Sequence, residues 1–480
     1  MLEDIRRQLE GWLGETEFAA VRNTDPVALA ARFPKALSAD SEQAAEDAVT
    51  AAEARGNPGL LQRHRALRAG IVWARFRFEE REGLAEAEDR LGRSAAKLPD
   101  GASAGWSALC QMRDRAPVRA ARAAGERAMA EAAAAVADGR VEMARRRHEE
   151  AQRRGAKDVR GVFERFEGIE LSKVAADARR FLEATRDAYR ENLDWLLKRH
   201  DASLESAEAH DIDWARHEFR RTLPAPRDRM SKILEGALKW MGLDATAHGK
   251  LHRGAAAAPP CVVARRKVPG EVHFLLHLED GVPAWAEALG EWGRALAAAW
   301  TPATLPMEHR VLGDPSVPLA WAALLALAPL ERDWISRVLD FAKSKDAARE
   351  IQTLHLAATR HLAGLLEAEI DLATGSTTSE AAELLTSATL ARFQPGLLLE
   401  TASAWFATAH RLRAAAAAAS LANLLESRFE TWHRNVETGK FLVAAWNLGR
   451  QYGLAELLEK LGAEADTFGA MSKRFLERLA

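Results

Sequence analysis

Apolar residues spaced three and four apart dominate this 480-residue chain and predict a protein built mostly of amphipathic helices. Met1-Leu2-Glu3-Asp4-Ile5 opens the first. Asp25-Pro26 and Asn57-Pro58 start two more, with proline in the first turn, where its missing N–H costs nothing. The second of these is expected to run to about Leu91. Pro99-Asp100-Gly101 marks a turn within a loop from Lys97 to Ala104. From Pro117 to about Gly155 the chain is Ala, Arg and Glu with a thin apolar stripe. That predicts a long, partly exposed helix or hairpin, either packed on one face or serving as a coiled-coil arm. Leu171 to Arg199 carries a fuller stripe of Val174, Phe181, Tyr189, Leu193, Leu196 and Leu197, and Pro224 and Pro226 close the helical stretch behind it.

The texture then changes. Ala255 to Pro260 reads as a small-residue linker. Cys261-Val262-Val263-Ala264 and Val272-His273-Phe274-Leu275-Leu276 are short apolar runs, with Pro269-Gly270 between them as a turn signal. They predict a β-hairpin or two neighbouring strands, with Arg265-Arg266-Lys267 as a solvated turn or a contact for an acidic partner. After Gly281 the pattern returns to helix and stays so to Ala480, the run Ala414–Ala419 forming a closely packed helix interior. Three regions result: 1–115 and 116–250, both helical, and 251–480, with the small sheet and the C-terminal helices.

Composition narrows the function classes. Lys and Arg number 67 against 69 Asp and Glu, a net charge of -2 that gives no reason to expect nucleic acid or an anionic membrane. Cys110 and Cys261 stand far apart and make no disulfide framework. No apolar run approaches the roughly 18 residues of a membrane span, and the N-terminus lacks a charged-then-apolar leader. The expectation is a soluble protein of a reducing, cytoplasmic compartment.

The candidate chemistry lies on the helix after Pro283. Trp285, Leu289, Trp292, Leu296 and Ala299 give it a core face. Gly290 and Arg294, four apart, share a second face, with Glu291 beside them. Two histidines at that spacing could hold one zinc ion, and the residue after the first could act as a base. Glycine offers no ligand atom and arginine no lone pair. Two readings stand for these residues: an ion pair between Glu291 and Arg294, the guanidinium standing where a metal's charge would be, or an Arg294 that simply extends to solvent.

The flanking residues make a resemblance specific. Cys261, Val268-Pro269-Gly270-Glu271-Val272, Gly290-Glu291-Trp292-Gly293-Arg294, Thr304-Leu305-Pro306-Met307-Glu308 and Leu312-Gly313-Asp314-Pro315-Ser316-Val317 follow one another at telling distances. Together they resemble the catalytic core of the thimet oligopeptidase and oligoendopeptidase F family of zinc metallopeptidases. Arg428-Phe429-Glu430-Thr431-Trp432 and Gly439-Lys440-Phe441-Leu442 extend the likeness, over about residues 160–465. The resemblance implies a multi-helix oligopeptidase-like fold with a small β-sheet beside a deep central cleft. It also implies His-Glu-x-Gly-His at 290–294 and a third ligand, Glu, where Leu319 stands. Tyr or His donors that polarise the scissile carbonyl would come from the C-terminal region, where Trp405-Phe406, His410 and Arg413 are found.

The expectation is therefore a degenerate member that lacks zinc and any other cofactor, with Glu291 as a relic of the general base. Its binding-cleft candidates are Gly290, Glu291, Arg294, Leu319, His309, Phe406, His410 and Arg413. It would bind a peptide or protein segment, or act as partner of an active paralogue in a homo- or hetero-oligomer. The alternatives are a hydrolase whose catalytic groups have moved to positions such as His410, Glu291 and Arg294, and a helical scaffold that uses the Pro117–Gly155 arm. The pairs His273/His277 and His355/His361 read as structural histidines.

Overall fold

The computed structural model describes residues 1–22, 26–222, 225–257, 260–340, 344–403 and 405–480. Asp25, Pro224, Ala258 and Pro259 lie outside the described residues. Helices dominate, as the periodicity predicts. In chain order, the elements around the candidate sites are α1 (Leu2–Arg22), β1 (Ala95–Lys97), β2 (Ser103–Gly105), α2 (Arg119–Ala135), α3 (Ala209–Thr222), β3 (Leu251–Ala255), β4 (Val262–Lys267), β5 (Glu271–Leu276), α4 (Val282–Trp300), α5 (Ser316–Leu327) and α6 (Ala407–Phe429). No described helix is long and apolar enough to cross a membrane. Two compact units divide the chain. The first is Met1–Glu79, Pro224–Asp340 and Arg413–Ala470, and the second is Glu80–Leu223, Phe341–Leu412 and Met471–Ala480.

In the first unit, β4 and β5 pair antiparallel, as the two apolar runs predict, and β3 joins β5 in parallel on its other side. The third strand was not expected. Its Leu-His-Arg-Gly-Ala sequence has little β-propensity, and its pairing is tertiary in origin. Residues of β5 alternate: Val272, Phe274 and Leu276 are buried, while the residues between them are half-buried. Phe274 meets Trp292 of α4, ring centroids 5.0 Å apart. Across the sheet, His273 stacks on His252 at 5.0 Å and lies 4.9 Å from Phe18 of α1.

Arg265 and Arg266 are not in a solvated turn. They belong to β4, and Glu17 and Glu15 of α1 pair with them. The charge balance between α1 and β4 supplied partners that local sequence could not reveal.

The α4 helix starts after Gly281, which takes φ 93°, a left-handed value that glycine adopts without strain. Trp285, Leu289, Trp292, Leu296 and Ala299 are all fully buried, as the stripe predicts. The indole N–H groups of Trp285 and Trp292 donate to the carbonyls of Glu279 and Ala245 at 3.1 and 3.0 Å. Burial of such large side chains contributes roughly 1.5–3 kcal/mol each, which fixes the rotation of α4 and so the direction of Gly290 and Arg294.

In the second unit, the predicted Lys97–Ala104 loop is a small hairpin, β1 paired with β2 around the Pro99-Asp100-Gly101 turn. Asp100 Oδ1 accepts from Ala102 N at 3.0 Å, a side-chain turn that shapes the tip. The Pro117–Gly155 arm is two helices, α2 and Asp138–Arg153. The second is largely exposed. In contrast, α2 buries Arg122, Glu126, Ala128, Met129 and Ala132, because alanine on several faces permits close approach from more than one side. All six stripe residues of Leu171–Arg199 are buried, on helices that divide at Thr185.

Candidate functional site

Helices α4 and α5 pack side by side in the first unit, and two glycines of α4 set how closely. A Cβ built on Gly290 would lie 2.7 Å from the Ala322 carbonyl oxygen and 3.1 Å from the Ala326 Cβ, both on α5. A Cβ on Gly293 would lie 2.5 Å from Leu325 Cδ1. The direction in which a side chain at 290 would leave the helix is therefore filled by the backbone of α5. Leu319, also on α5, is half-buried.

Arg294 turns back along α4. Its Nε donates to Glu291 Oε2 at 2.8 Å, and Nη2 contacts the same oxygen, so the pair suggested by the sequence is made. Both side chains keep about a fifth to a quarter of their surface exposed (21% and 24%), so the pair is worth at most about 1 kcal/mol.

Arg294 lines a small cavity with Arg265, Arg310 and Arg450, closed on its apolar side by Trp321 and Trp446. Three of these arginines have carboxylate partners: Glu291 for Arg294, Glu17 for Arg265 and Glu10 for Arg310. Burial pushes the Glu17 carboxyl up, but the ion pair and hydrogen bonds with Arg265 outweigh it and hold the carboxyl below its usual range. Arg450 donates instead to the Val311 carbonyl at 2.7 Å. Burial, with Arg265 and Arg294 nearby, pulls its pKa down to about 9. The cavity thus carries one guanidinium charge more than its paired carboxylates.

The remaining candidates are dispersed. Arg413 grips Asp314 through Nη1 and Nη2 at 3.2 and 3.0 Å and donates to Ser316 Oγ at 2.8 Å, which anchors the start of α5. The His309 carbonyl accepts from Arg450 N at 2.7 Å, and burial lowers the pKa of its imidazole. Phe406 and His410 belong to the second unit. There Phe163 meets them edge-on, centroids 5.3 and 5.5 Å away, and His410 Nε2 lies 3.8 Å from Glu167 Oε2. His355 is a structural histidine, its pKa pushed down to about 4 by burial.

Sequence reasoning missed a cluster in the second unit. Glu126 on α2, Glu208 just before α3 and His210 in the first turn of α3 are all buried, and one ligand-type atom of each lies within 4.8 Å of the others. Glu208 Oε2 meets His210 Nε2 at 2.9 Å, while Arg392 pairs with the other carboxylate oxygen of Glu208. Burial pushes the Glu126 carboxyl up to about 7. Glu208, His210 and Asp211 crowded into four positions were the available signal. Glu126, one acid in an alanine-rich helix, gave none.

Gly290, Arg294 and Leu319 supply no ligand atom for a metal ion between α4 and α5. Gly290 and Leu319 carry no donor atom, the Arg294 guanidinium has no lone pair, and the space beyond Gly290 is occupied by Ala322.

No protein-family model matches the sequence, and no curated protein does. Solved structures do match. A putative oligoendopeptidase F from Bacillus anthracis str. Ames superposes with a TM-score of 0.61 at 12% identity, over 92% of this chain and 81% of that one. PZ peptidase A with an inhibitor gives 0.61 at 12%, over 92% and 85%. A putative peptidase from Chlamydophila abortus gives 0.59 at 10%, over 84% and 71%. This chain has the fold of the oligoendopeptidase F-type peptidases.

Proposed function

We propose that this chain is a catalytically inactive, peptidase-like protein that has kept a peptide-binding surface and lost zinc hydrolysis. The observation that carries the reading is the packing of Gly290 against the Ala322 carbonyl, at the position where the sequence resemblance puts a first metal ligand. Without a bound metal, a water molecule of pKa about 15.7 is not activated by the lone Glu291 carboxylate, which Arg294 already engages.

The peptide-binding half rests on the sheet. Among the described residues β3 pairs only with β5, and four of its five residues are exposed. Its outer edge offers backbone N–H and C=O groups to an extended segment, the β-addition mode of recognition. Ala256 N donates inward to Leu276 O at 3.0 Å, so parallel pairing turns the N–H groups of Arg253 and Ala255 outward. The relocated-hydrolase reading names His410, Glu291 and Arg294; the buried Glu126–Glu208–His210 cluster is a further set of titratable groups that keeps this second reading open.

Fluorescein-labelled decapeptides of mixed sequence test both halves. The wild type should raise their anisotropy and Ala255→Pro should abolish the rise, with the circular dichroism spectrum unchanged. Quenched peptides should not be cleaved. Binding unaffected by Ala255→Pro would remove the β3 edge from the account, and cleavage abolished by Glu291→Gln would end the claim of inactivity.

A further inference from the structure

The buried cluster of the second unit has features that an ordinary hydrogen-bond network leaves unexplained. Glu126 is 2% exposed, and its Oε2 has no hydrogen-bond partner among the described residues. An unpartnered carboxylate oxygen in the interior costs several kcal/mol when charged, and structures keep such groups where something compensates them. Its neighbours are the two groups best suited to share a cation with it. Glu208 Oε2 and His210 Nε2 already stand 2.9 Å apart, inside the roughly 3.4 Å that separates neighbouring ligands of a tetrahedral ion with bonds near 2.1 Å.

The surroundings are those of an outer ligand shell. His210 Nδ1 lies 3.2 Å from Asp211 Oδ1. Asp211 is itself fixed: Arg119 Nε and Nη2 donate to its two oxygens at 2.9 and 2.8 Å, and Glu208 N donates to Oδ2 at 3.1 Å. Asp211 sits beside the far nitrogen without accepting a hydrogen bond from it in this geometry, so a small ring rotation would be needed before it orients the imidazole and makes the other nitrogen a better metal donor. Arg392 on the second oxygen of Glu208 leaves that residue one oxygen for an ion. Three donors on two elements, α2 and the start of α3, would let an ion tie those elements together. Burial on every side makes such a site structural and closed to substrate.

We propose that Glu126, Glu208 and His210 bind one first-row divalent metal ion. One nitrogen and two carboxylate oxygens suit zinc, cobalt(II) or manganese. The site is independent of the α4–α5 pair and of the proposed peptide binding.

Chelator-stripped full-length protein titrated with Zn²⁺ and with Co²⁺ tests the proposal, by calorimetry and by the visible absorption of bound cobalt. The wild type should take up one ion per chain, gain melting temperature and show the visible bands of a four- or five-coordinate cobalt site. Glu126→Gln, close to isosteric, should lower affinity at least tenfold, and His210→Asn should abolish the cobalt bands. Glu291→Gln should leave metal binding unchanged, since Glu291 lies on α4 in the first unit and the three donors lie in the second. No uptake by the wild type would overturn the proposal. So would uptake that Glu126→Gln leaves unchanged, or uptake lost in Glu291→Gln, which would place the ion on α4. His210→Asn could unfold the unit, so the Glu126→Gln result decides.

Discussion

Adding one methyl group at Gly290 tests whether α4 and α5 have closed over position 290, where the proposed function puts a lost ligand. In an exposed helix Gly→Ala stabilises by about 1 kcal/mol. At Gly290 the new Cβ would sit 2.7 Å from the Ala322 carbonyl oxygen, a backbone atom that cannot rotate away. Overpacking of this kind costs about 1–3 kcal/mol, so Gly290→Ala should destabilise by up to about 2 kcal/mol. Gly290→His adds an imidazole to the same clash and should cost more. Gly293→Ala is the comparison, since its Cβ would meet the buried Leu325 side chain, at 2.5 Å from Cδ1 and 2.9 Å from Cγ, and a side chain can shift where the Ala322 backbone cannot. Urea unfolding followed by tryptophan fluorescence reports on this region through Trp285 and Trp292. The order of midpoints should be wild type, then Gly290→Ala, then Gly290→His, with Gly293→Ala nearer to wild type than Gly290→Ala. A Gly290→Ala midpoint at or above that of the wild type would show that the helices have room and refute the reasoning.

Other consequences concern buried charge. Glu369 is 3% exposed and its carboxyl is pushed up to about 7 by burial, against Thr408 Oγ1 and Ser403 N at 2.6 and 2.7 Å. Its folded pKa exceeds the unfolded value near 4.5, so it weakens the fold as pH rises from about 4.5 to 7, by up to about 3 kcal/mol, and the stability difference between Glu369→Gln and wild type should grow over that window. His355, with its pKa near 4, acts at the acid side: its contribution is intact above pH about 6.5 and is lost as pH falls toward 4, a loss that His355→Gln should not show. Glu308 is fully buried and takes Arg6 Nε at 2.6 Å and Arg63 Nη2 at 3.4 Å. Glu308→Gln leaves Arg6 without a buried counter-charge and should cost about 3 kcal/mol in chemical denaturation.

Much of the fold was legible because its helices are long and their stripes regular. The α4 face of Trp285, Leu289, Trp292, Leu296 and Ala299 could be read from spacing alone. What escaped depends on partners distant in sequence. β3 is a strand because β5 lies beside it, and Arg265 is a strand residue because Glu17 of α1 faces it. Of the candidate site, the Glu291–Arg294 pair was readable because three residues on a helix place two side chains together. The Glu126–Glu208–His210 cluster was not, because it joins Glu126 to residues 82 and 84 positions further on, and Glu126 has no local signal. The first unit also gathers Arg265, Arg294, Arg310 and Arg450 around one cavity, a grouping that no segment of sequence contains.

Steady-state hydrolysis of a mixed library of quenched decapeptides, in saturating zinc, tests the central claim most directly. The account predicts no turnover above the buffer rate, with or without the metal, from protein that binds the same peptides. Zinc-dependent turnover that Glu291→Gln abolishes would contradict it, because a working site would then exist on the helix that lacks its ligands.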